Sequence, residues 1–102
     1  MKVILTAAFF ASFVFVASGH AQSAPAAYTQ KCQMCHGATG RGDTPAGKAL
    51  GARAFNTPDV MKLSNADLLS VIKNGKGKMP AFAGKVSDAD ITALAAYVRK
   101  LQ

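Results

Sequence analysis

The chain contains no glutamate, and it is short of cysteine, histidine and aromatic residues. Two cysteines, two histidines, six phenylalanines and two tyrosines are spread over 102 positions, a length that suits one domain at most. This scarcity leaves almost nothing from which to pair a nucleophile with a general base, so the composition argues against an enzyme.

The first 21 residues have the pattern of a secretory signal peptide. Lys2 gives the positive start, an apolar run extends from Val3 to Ala17, and small residues stand at Gly19 and Ala21. The run is shorter than the roughly 20 residues that a spanning helix needs. We therefore predict a cleaved leader at 1–21, a mature domain at 22–102 in the periplasm, and no stable membrane insertion after cleavage. An uncleaved N-terminal anchor is the alternative.

Removing this leader leaves a small and basic domain. Half of the aromatic residues lie in the leader, and a domain of this size with so thin a core usually recruits a staple, a metal or a cofactor. The mature chain carries eleven basic residues against five aspartates, a net charge of +6. Such a balance suits nucleic acid, a membrane surface or an acidic protein. A secreted location argues against nucleic acid.

The pentapeptide at 32–36 reads C-Q-M-C-H, which is the attachment signature of a c-type haem. Cys32 and Cys35 can each form a thioether with one vinyl group, and two intervening residues in a helical turn set the sulfurs at a matching separation. His36 follows directly and can bind the iron. A redox dithiol is the main alternative, although no strand–helix–strand pattern surrounds it. Zinc is disfavoured because the mature chain offers three strong ligands, not four.

Apolar periodicity and helix-start signals predict an all-α domain. Ser64 and Ser87 are candidate N-caps, and aspartates follow each of them in the first helical turn. Glycines and prolines interrupt the stretches between the periodic segments. The predicted helices are 24–36, 64–74 and 87–101, and the predicted loops are 37–58, with room for a short helical turn near 47–51, and 75–86.

A second axial ligand is predicted at Met79. Methionine sulfur is a haem ligand that raises the potential. Met34 lies within the attachment motif and cannot reach across the ring, and Met61 is interpreted as a core residue. Met79 lies in a glycine-rich loop, where the backbone can approach the ring closely, and Pro80 fixes the turn after it.

These motifs, in this order, resemble a class I cytochrome c of the short, soluble bacterial monohaem type. The resemblance covers the mature chain and rests on C-x-x-C-H at 32–36, Lys78-Met79-Pro80 and a C-terminal helix carrying Tyr97. It implies three main helices around one covalently bound haem. It also implies that the first and last helices cross, with Tyr28 paired to Tyr97.

The resemblance further implies support for the haem from the first loop. A proline carbonyl in that loop accepts a hydrogen bond from the axial histidine, and Pro45 is the candidate here. Arginine pairs well with carboxylate, so the same loop offers candidates for the haem propionates. These are Arg53, Asn56 and Thr57.

The predicted function is electron transfer by a monomeric, periplasmic carrier that is not an enzyme, with His36 and Met79 as axial ligands. Its partners would be redox proteins with acidic docking surfaces, met transiently. Alternatives are a dedicated electron acceptor of a periplasmic dehydrogenase, a gas-binding or peroxidatic haem protein, and a thiol oxidoreductase. Four lysines could form a basic docking rim: Lys73, Lys76, Lys78 and Lys85.

Overall fold

A computed structural model describes residues 12, 14 and 23–102 of the chain. Apart from Ser12 and Val14, the segment assigned to the signal peptide lies outside the described residues. The cleaved leader therefore stays a prediction. Within the described part, no helix is both long enough and apolar enough to cross a membrane.

The described chain is all-α, as predicted. Residues 23–102 contain no β-strand, and only two isolated bridges, Lys76–Met79 and Ala83–Val86, interrupt the helical pattern. The helices are α1 (Ala24–Lys31), α2 (Gln33–His36), α3 (Pro45–Leu50), α4 (Pro58–Met61), α5 (Asn65–Asn74) and α6 (Asp88–Lys100).

The two longest helices begin at the predicted caps. The Ser64 hydroxyl accepts a hydrogen bond from the backbone N–H of Asp67, at 3.0 Å, and the Asp67 carboxylate accepts one from the backbone N–H of Ser64. This capping box also lowers the pKa of Asp67, because the Ser64 hydrogen bonds favour the charged form. At α6, Ser87 accepts from the backbone N–H of Asp90 at 3.1 Å.

The first half of the chain differs from the prediction in two places. The helix predicted over 24–36 is interrupted at Cys32, whose backbone (φ −121°, ψ −36°) separates α1 from α2. The loop predicted over 37–58 contains α3, so the expected helical turn lies at Pro45–Leu50. It also contains the start of α4, a helix that was not predicted. Each of these short helices has proline at its first position and threonine before it, a local start signal in a glycine-rich stretch.

Helices α1 and α6 pack together, as the family resemblance implied. The rings of Tyr28 and Tyr97 lie 5.2 Å apart, edge to face at 61°. The buried apolar residues include members of both helices and of α4 and α5. They are Ala27, Tyr28, Phe55, Val60, Leu68, Ile72, Ile91, Leu94, Ala95 and Val98.

Candidate functional site

A large cavity lies at the centre of the helices. Its volume is about 850 Å³, near the upper end of the roughly 300–1,000 Å³ of ligand pockets. All four predicted site residues line it: Cys32, Cys35, His36 and Met79. Residues separated by more than forty positions thus face one space, which holds two thiols, one imidazole and one thioether.

The walls of the cavity are largely apolar. Seven of the ten buried apolar residues border it, together with half-buried residues such as Leu63 and Phe82. A cavity of this kind accepts a large apolar ligand and has few groups that would hold a polar one. The seven are Tyr28, Phe55, Val60, Leu68, Ile72, Leu94 and Val98.

The three candidate methionines occupy different environments. Met79 lines the cavity and is half-buried against the core. Met34 also lines the cavity but is 75% exposed, as expected for a residue within the attachment turn. Met61 is 52% exposed and does not line the cavity, so its interpretation as a core residue is wrong.

Helical backbone hydrogen bonds hold the turn that carries both cysteines. The backbone N–H of His36 donates to Cys32 O at 2.9 Å, and that of Cys32 donates to Tyr28 O at 2.9 Å, which links α2 to α1. Both cysteines are half-buried, and neither is in a disulfide.

This environment does not favour the two alternative uses of the cysteines. Burial, and then the nearby Cys35 charge, raises the pKa of Cys32 to about 11, whereas a reactive dithiol needs a lowered thiol pKa. Within the described residues, no three histidine, cysteine, aspartate or glutamate side chains cluster as a metal site. A zinc site would require such a cluster.

His36 presents a half-buried imidazole with unused hydrogen-bonding capacity. Its Nδ1 atom is buried and finds no hydrogen-bond partner among the described residues. Burial lowers the pKa of His36, and the Arg53 backbone opposes that effect more weakly. The neutral ring that results is the form that binds a metal. The hydrogen bond predicted from Nδ1 to Pro45 is not formed.

Phe55 is a site residue that the sequence interpretation missed. Its ring lies 4.7 Å from the His36 ring, tilted by 32°, and 6.4 Å from the Tyr28 ring, edge to face. Its backbone N–H donates to Gly40 O at 2.8 Å, which folds the loop back toward α2. The available signal was a single aromatic residue within a glycine-rich loop. Of the loop residues proposed for propionates, Arg53 lines the cavity, whereas Asn56 and Thr57 do not.

Met79 sits at the end of a tight two-residue turn. Lys76 and Met79 exchange both backbone hydrogen bonds, N–H to O, at 3.1 and 3.0 Å. Gly77 opens the turn with φ +57° and Lys78 has negative φ, the combination of a type II′ turn. The loop predicted over 75–86 therefore has a defined turn where it carries the Met79 sulfur.

The same segment is packed against the end of α5. Gly75 has φ +73°, and a Cβ atom placed on it would lie 2.5 Å from Met79 O and 2.9 Å from Ala81 N. Beyond the turn, the N–H of Phe82 donates to Ile72 O at 3.0 Å. The position of Met79 thus depends on a close backbone contact that only glycine permits.

Comparison with known protein families gives one matching profile. The profile of the family described as "Cytochrome C oxidase, cbb3-type, subunit III" matches residues 19–98. The CcoP subunit of a cbb3-type cytochrome c oxidase from Azospirillum brasilense is 34% identical over 83 residues, which are 79% of this chain and 28% of that protein. The chain therefore corresponds to little more than a quarter of that relative.

Shorter relatives match over more of their own length. Cytochrome c6 from Picosynechococcus sp. is 36% identical over 76 residues, covering 70% of this chain and 64% of that protein. Cytochrome c6 from Leptolyngbya boryana is 36% identical over 73 residues, covering 70% and 80%. Among solved structures, the KustC0563 c-type cytochrome superposes with a TM-score of 0.72 at 30% identity, covering 79% of this chain and 99% of that one.

The contact between Gly75 and the Met79 turn can be tested by Gly75→Ala, with Gly84→Ala as the matched control. Both glycines have similar positive φ, +73° and +78°, but a Cβ on Gly84 would meet nothing within 4 Å. At Gly75 the backbone (φ +73°, ψ 172°) lies in a region that is populated almost only by glycine, so its alanine variant also carries backbone strain of about 1–3 kcal/mol. We expect Gly75→Ala to lower the free energy of unfolding by a further ~1–3 kcal/mol, because neighbouring backbone must move. Urea unfolding measures this, and equal losses would contradict the close contact.

Proposed function

The chain belongs to the cytochrome c family, and from that premise we propose that it carries single electrons between proteins on one covalently attached haem c. The observation that carries the proposal is the convergence of Cys32, Cys35, His36 and Met79 on one apolar cavity. Proteins of this family carry covalently bound haem c. The bound haem supplies a one-electron ferrous–ferric couple.

The residues of the cavity fit that group. The imidazole of His36 is half-buried, its Nδ1 atom is buried without a hydrogen-bond partner, and its lowered pKa favours the neutral form that a metal binds. The thiols lie three residues apart in a single helical turn and would form the two thioether bonds. Met79 would provide the second axial ligand, a soft thioether sulfur that raises the potential. The apolar walls would exclude water from the porphyrin.

If His36 and Met79 both bind the iron, no position on it would be left for a substrate. The proposed haem would use both cysteines and His36, the side chains best suited to act as nucleophile and base, which favours a carrier over an enzyme. A gas-binding or peroxidatic function would need Met79 to be absent from the iron. The match to CcoP covers 28% of that protein, so it supports a shared haem domain and carries no implication of an oxidase assembly.

We also propose a periplasmic, monomeric carrier formed by residues 22–102 after removal of 1–21. The support is the sequence pattern of the leader, together with the need to attach haem outside the cytoplasm that the family resemblance implies. A dedicated acceptor for a periplasmic dehydrogenase would have this same architecture. The two differ only in the donor protein.

Docking would occur at the basic side of the cavity mouth. Lys76 and Lys78 are exposed and line the cavity, whereas Lys73 and Lys85 do not. Lys31 and Arg53 add two further cations to the lining, and Asp67 is its one acidic member. This distribution would attract redox partners with acidic surfaces and steer them toward the cofactor.

The haem attachment is tested by expressing the chain with haem-attachment machinery, with and without Cys32→Ala and Cys35→Ala together. We expect the unmodified protein to retain haem through acid–organic extraction and denaturing electrophoresis, because thioether bonds survive both. The double variant should lose the haem and most of its folded structure, since the cavity would lose its occupant. Haem that washes out of the unmodified protein would contradict the proposal.

The axial assignment is tested by Met79→Ala against Met61→Ala. Loss of the Met79 sulfur should abolish the methionine–iron charge-transfer band, lower the potential and permit rapid carbon monoxide binding. Met61 lies outside the cavity, so its removal should leave all three properties unchanged. An unchanged charge-transfer band in Met79→Ala would show that another group holds that position.

The docking side is tested by Lys76→Glu with Lys78→Glu, against Lys62→Glu with Lys100→Glu. Both pairs change the net charge equally and all four lysines are exposed, but the control pair does not line the cavity. We expect the first pair to slow electron transfer to an acidic redox protein by about tenfold at low salt. The difference should shrink as salt shortens the Debye length below ~10 Å. Equal slowing by both pairs would mean that net charge, and not this rim, steers docking.

A further inference from the structure

Helix α2 is too short to satisfy its own C-terminal carbonyl groups. The last four carbonyls of any helix lack partners within it, and α2 consists of four residues in all. The following loop satisfies two of them through its backbone. Gly37 N–H donates to Gln33 O at 2.8 Å, and Gly42 N–H donates to His36 O at 2.8 Å.

The other two carbonyls share one side chain, that of Thr44. Its Oγ1 lies 2.6 Å from Met34 O and 3.2 Å from Cys35 O, so the single hydroxyl proton is donated mainly to the first and shared with the second. The same oxygen accepts a hydrogen bond from Gly47 N–H at 2.9 Å, which caps α3. One hydroxyl therefore joins the end of α2 to the start of α3.

The two short helices are also in direct contact beside this hydroxyl. Gly47 is buried, and a Cβ atom added to it would collide with the carbonyl oxygen of Cys35. The Cys35 carbonyl is thus in contact with α3, and its hydrogen bond from Thr44 is part-buried. An unpaired carbonyl at such a position is costly, so its loss would be relieved by movement of the backbone.

The Cys35 carbonyl belongs to the peptide group whose nitrogen is that of His36. Because this group is planar, a rotation that moves the carbonyl oxygen also moves the N–H of His36 and the attachment of its side chain. The imidazole has no hydrogen bond of its own at Nδ1 to restore the ring orientation. The Phe55 ring, 4.7 Å away, the Arg53 backbone and the cavity wall are the groups that restrict it.

We propose that Thr44 is a positioning residue for His36, acting through the Cys35–His36 peptide group, so that its hydroxyl sets the orientation of the axial imidazole. This inference rests on the proposed function, since it assigns the ring to the iron. The hydroxyl needs both of its roles: it donates to the carbonyls of α2 and accepts from the N–H of Gly47. Serine retains these groups, whereas valine has the same shape and lacks them.

The test compares the haem-loaded protein with Thr44→Val, Thr44→Ser and the control Thr92→Val. Thr92 is an exposed threonine on α6 whose hydroxyl also donates to a backbone carbonyl, that of Asp88. In the ferric protein, the NMR shifts of the four haem methyl groups report the orientation of the axial ligands. We expect Thr44→Val to change their order or spread and to shift the redox equilibrium with a reference dye several-fold. Thr44→Ser and Thr92→Val should match the unmodified protein.

Loss of the α3 cap could prevent Thr44→Val from folding, and Thr44→Asp then provides the test. Aspartate can still cap α3 as an acceptor, but its ionised carboxylate cannot donate to the carbonyls of α2. We expect it to shift the haem methyl resonances as well. Unchanged resonances in Thr44→Val or Thr44→Asp, even with reduced stability, would overturn the inference. An equal shift in Thr44→Ser would do the same. Absence of covalent haem from the unmodified protein would instead refute the proposed function itself.

Discussion

The structure depends on a space that the polypeptide does not fill. A cavity of about 850 Å³ is bordered by seven of the ten buried apolar residues, so most of the core faces the cavity as well as other side chains. The three that do not border it are Ala27 on α1, and Ile91 and Ala95 on α6. The α1–α6 contact is therefore the part of the core that protein atoms alone can complete. Elsewhere, the apolar surface of the cavity would be removed from water only when a porphyrin covers it.

The protein-only part of the core is connected to the attachment turn through Tyr28. Its ring packs edge to face on Tyr97, and its hydroxyl, which is buried, donates to Gly37 O at 2.5 Å, one residue after His36. Burial, with smaller contributions from nearby charges, raises the pKa of Tyr28 to about 12. The hydroxyl thus keeps its proton and remains a donor at neutral pH. Through Tyr28, helix α1 is therefore joined to α6 at the ring and to the segment that follows His36 at the hydroxyl.

The features that sequence could predict are those with a local chemical signal. The capping serines Ser64 and Ser87 act within a few residues, and the helices begin at them as predicted. The C-x-x-C-H motif is equally local, and its two cysteines and His36 line one cavity together with Met79. The loop fold around Phe55 and the bonds of Thr44 depend on contacts between residues 9 to 27 positions apart. Periodicity carries no information on those contacts. The same reason explains why the Pro45 bond was wrong: it required a loop register that only tertiary packing fixes.

The two predicted axial ligands are held in different ways, and α6 connects them although it contributes neither. His36 lies on a turn fixed to α1 and α3, whereas Met79 follows α5 through a close contact at Gly75. Helix α6 packs on α1 through Tyr97 and reaches the start of α5 through Arg99, which donates to Asn65 Oδ1 at 3.2 Å and to Leu63 O. A change in the α1–α6 or α5–α6 packing would therefore alter the separation of the two ligands, even far from the cavity. The last helix therefore connects the segment that carries His36 to the segment that carries Met79.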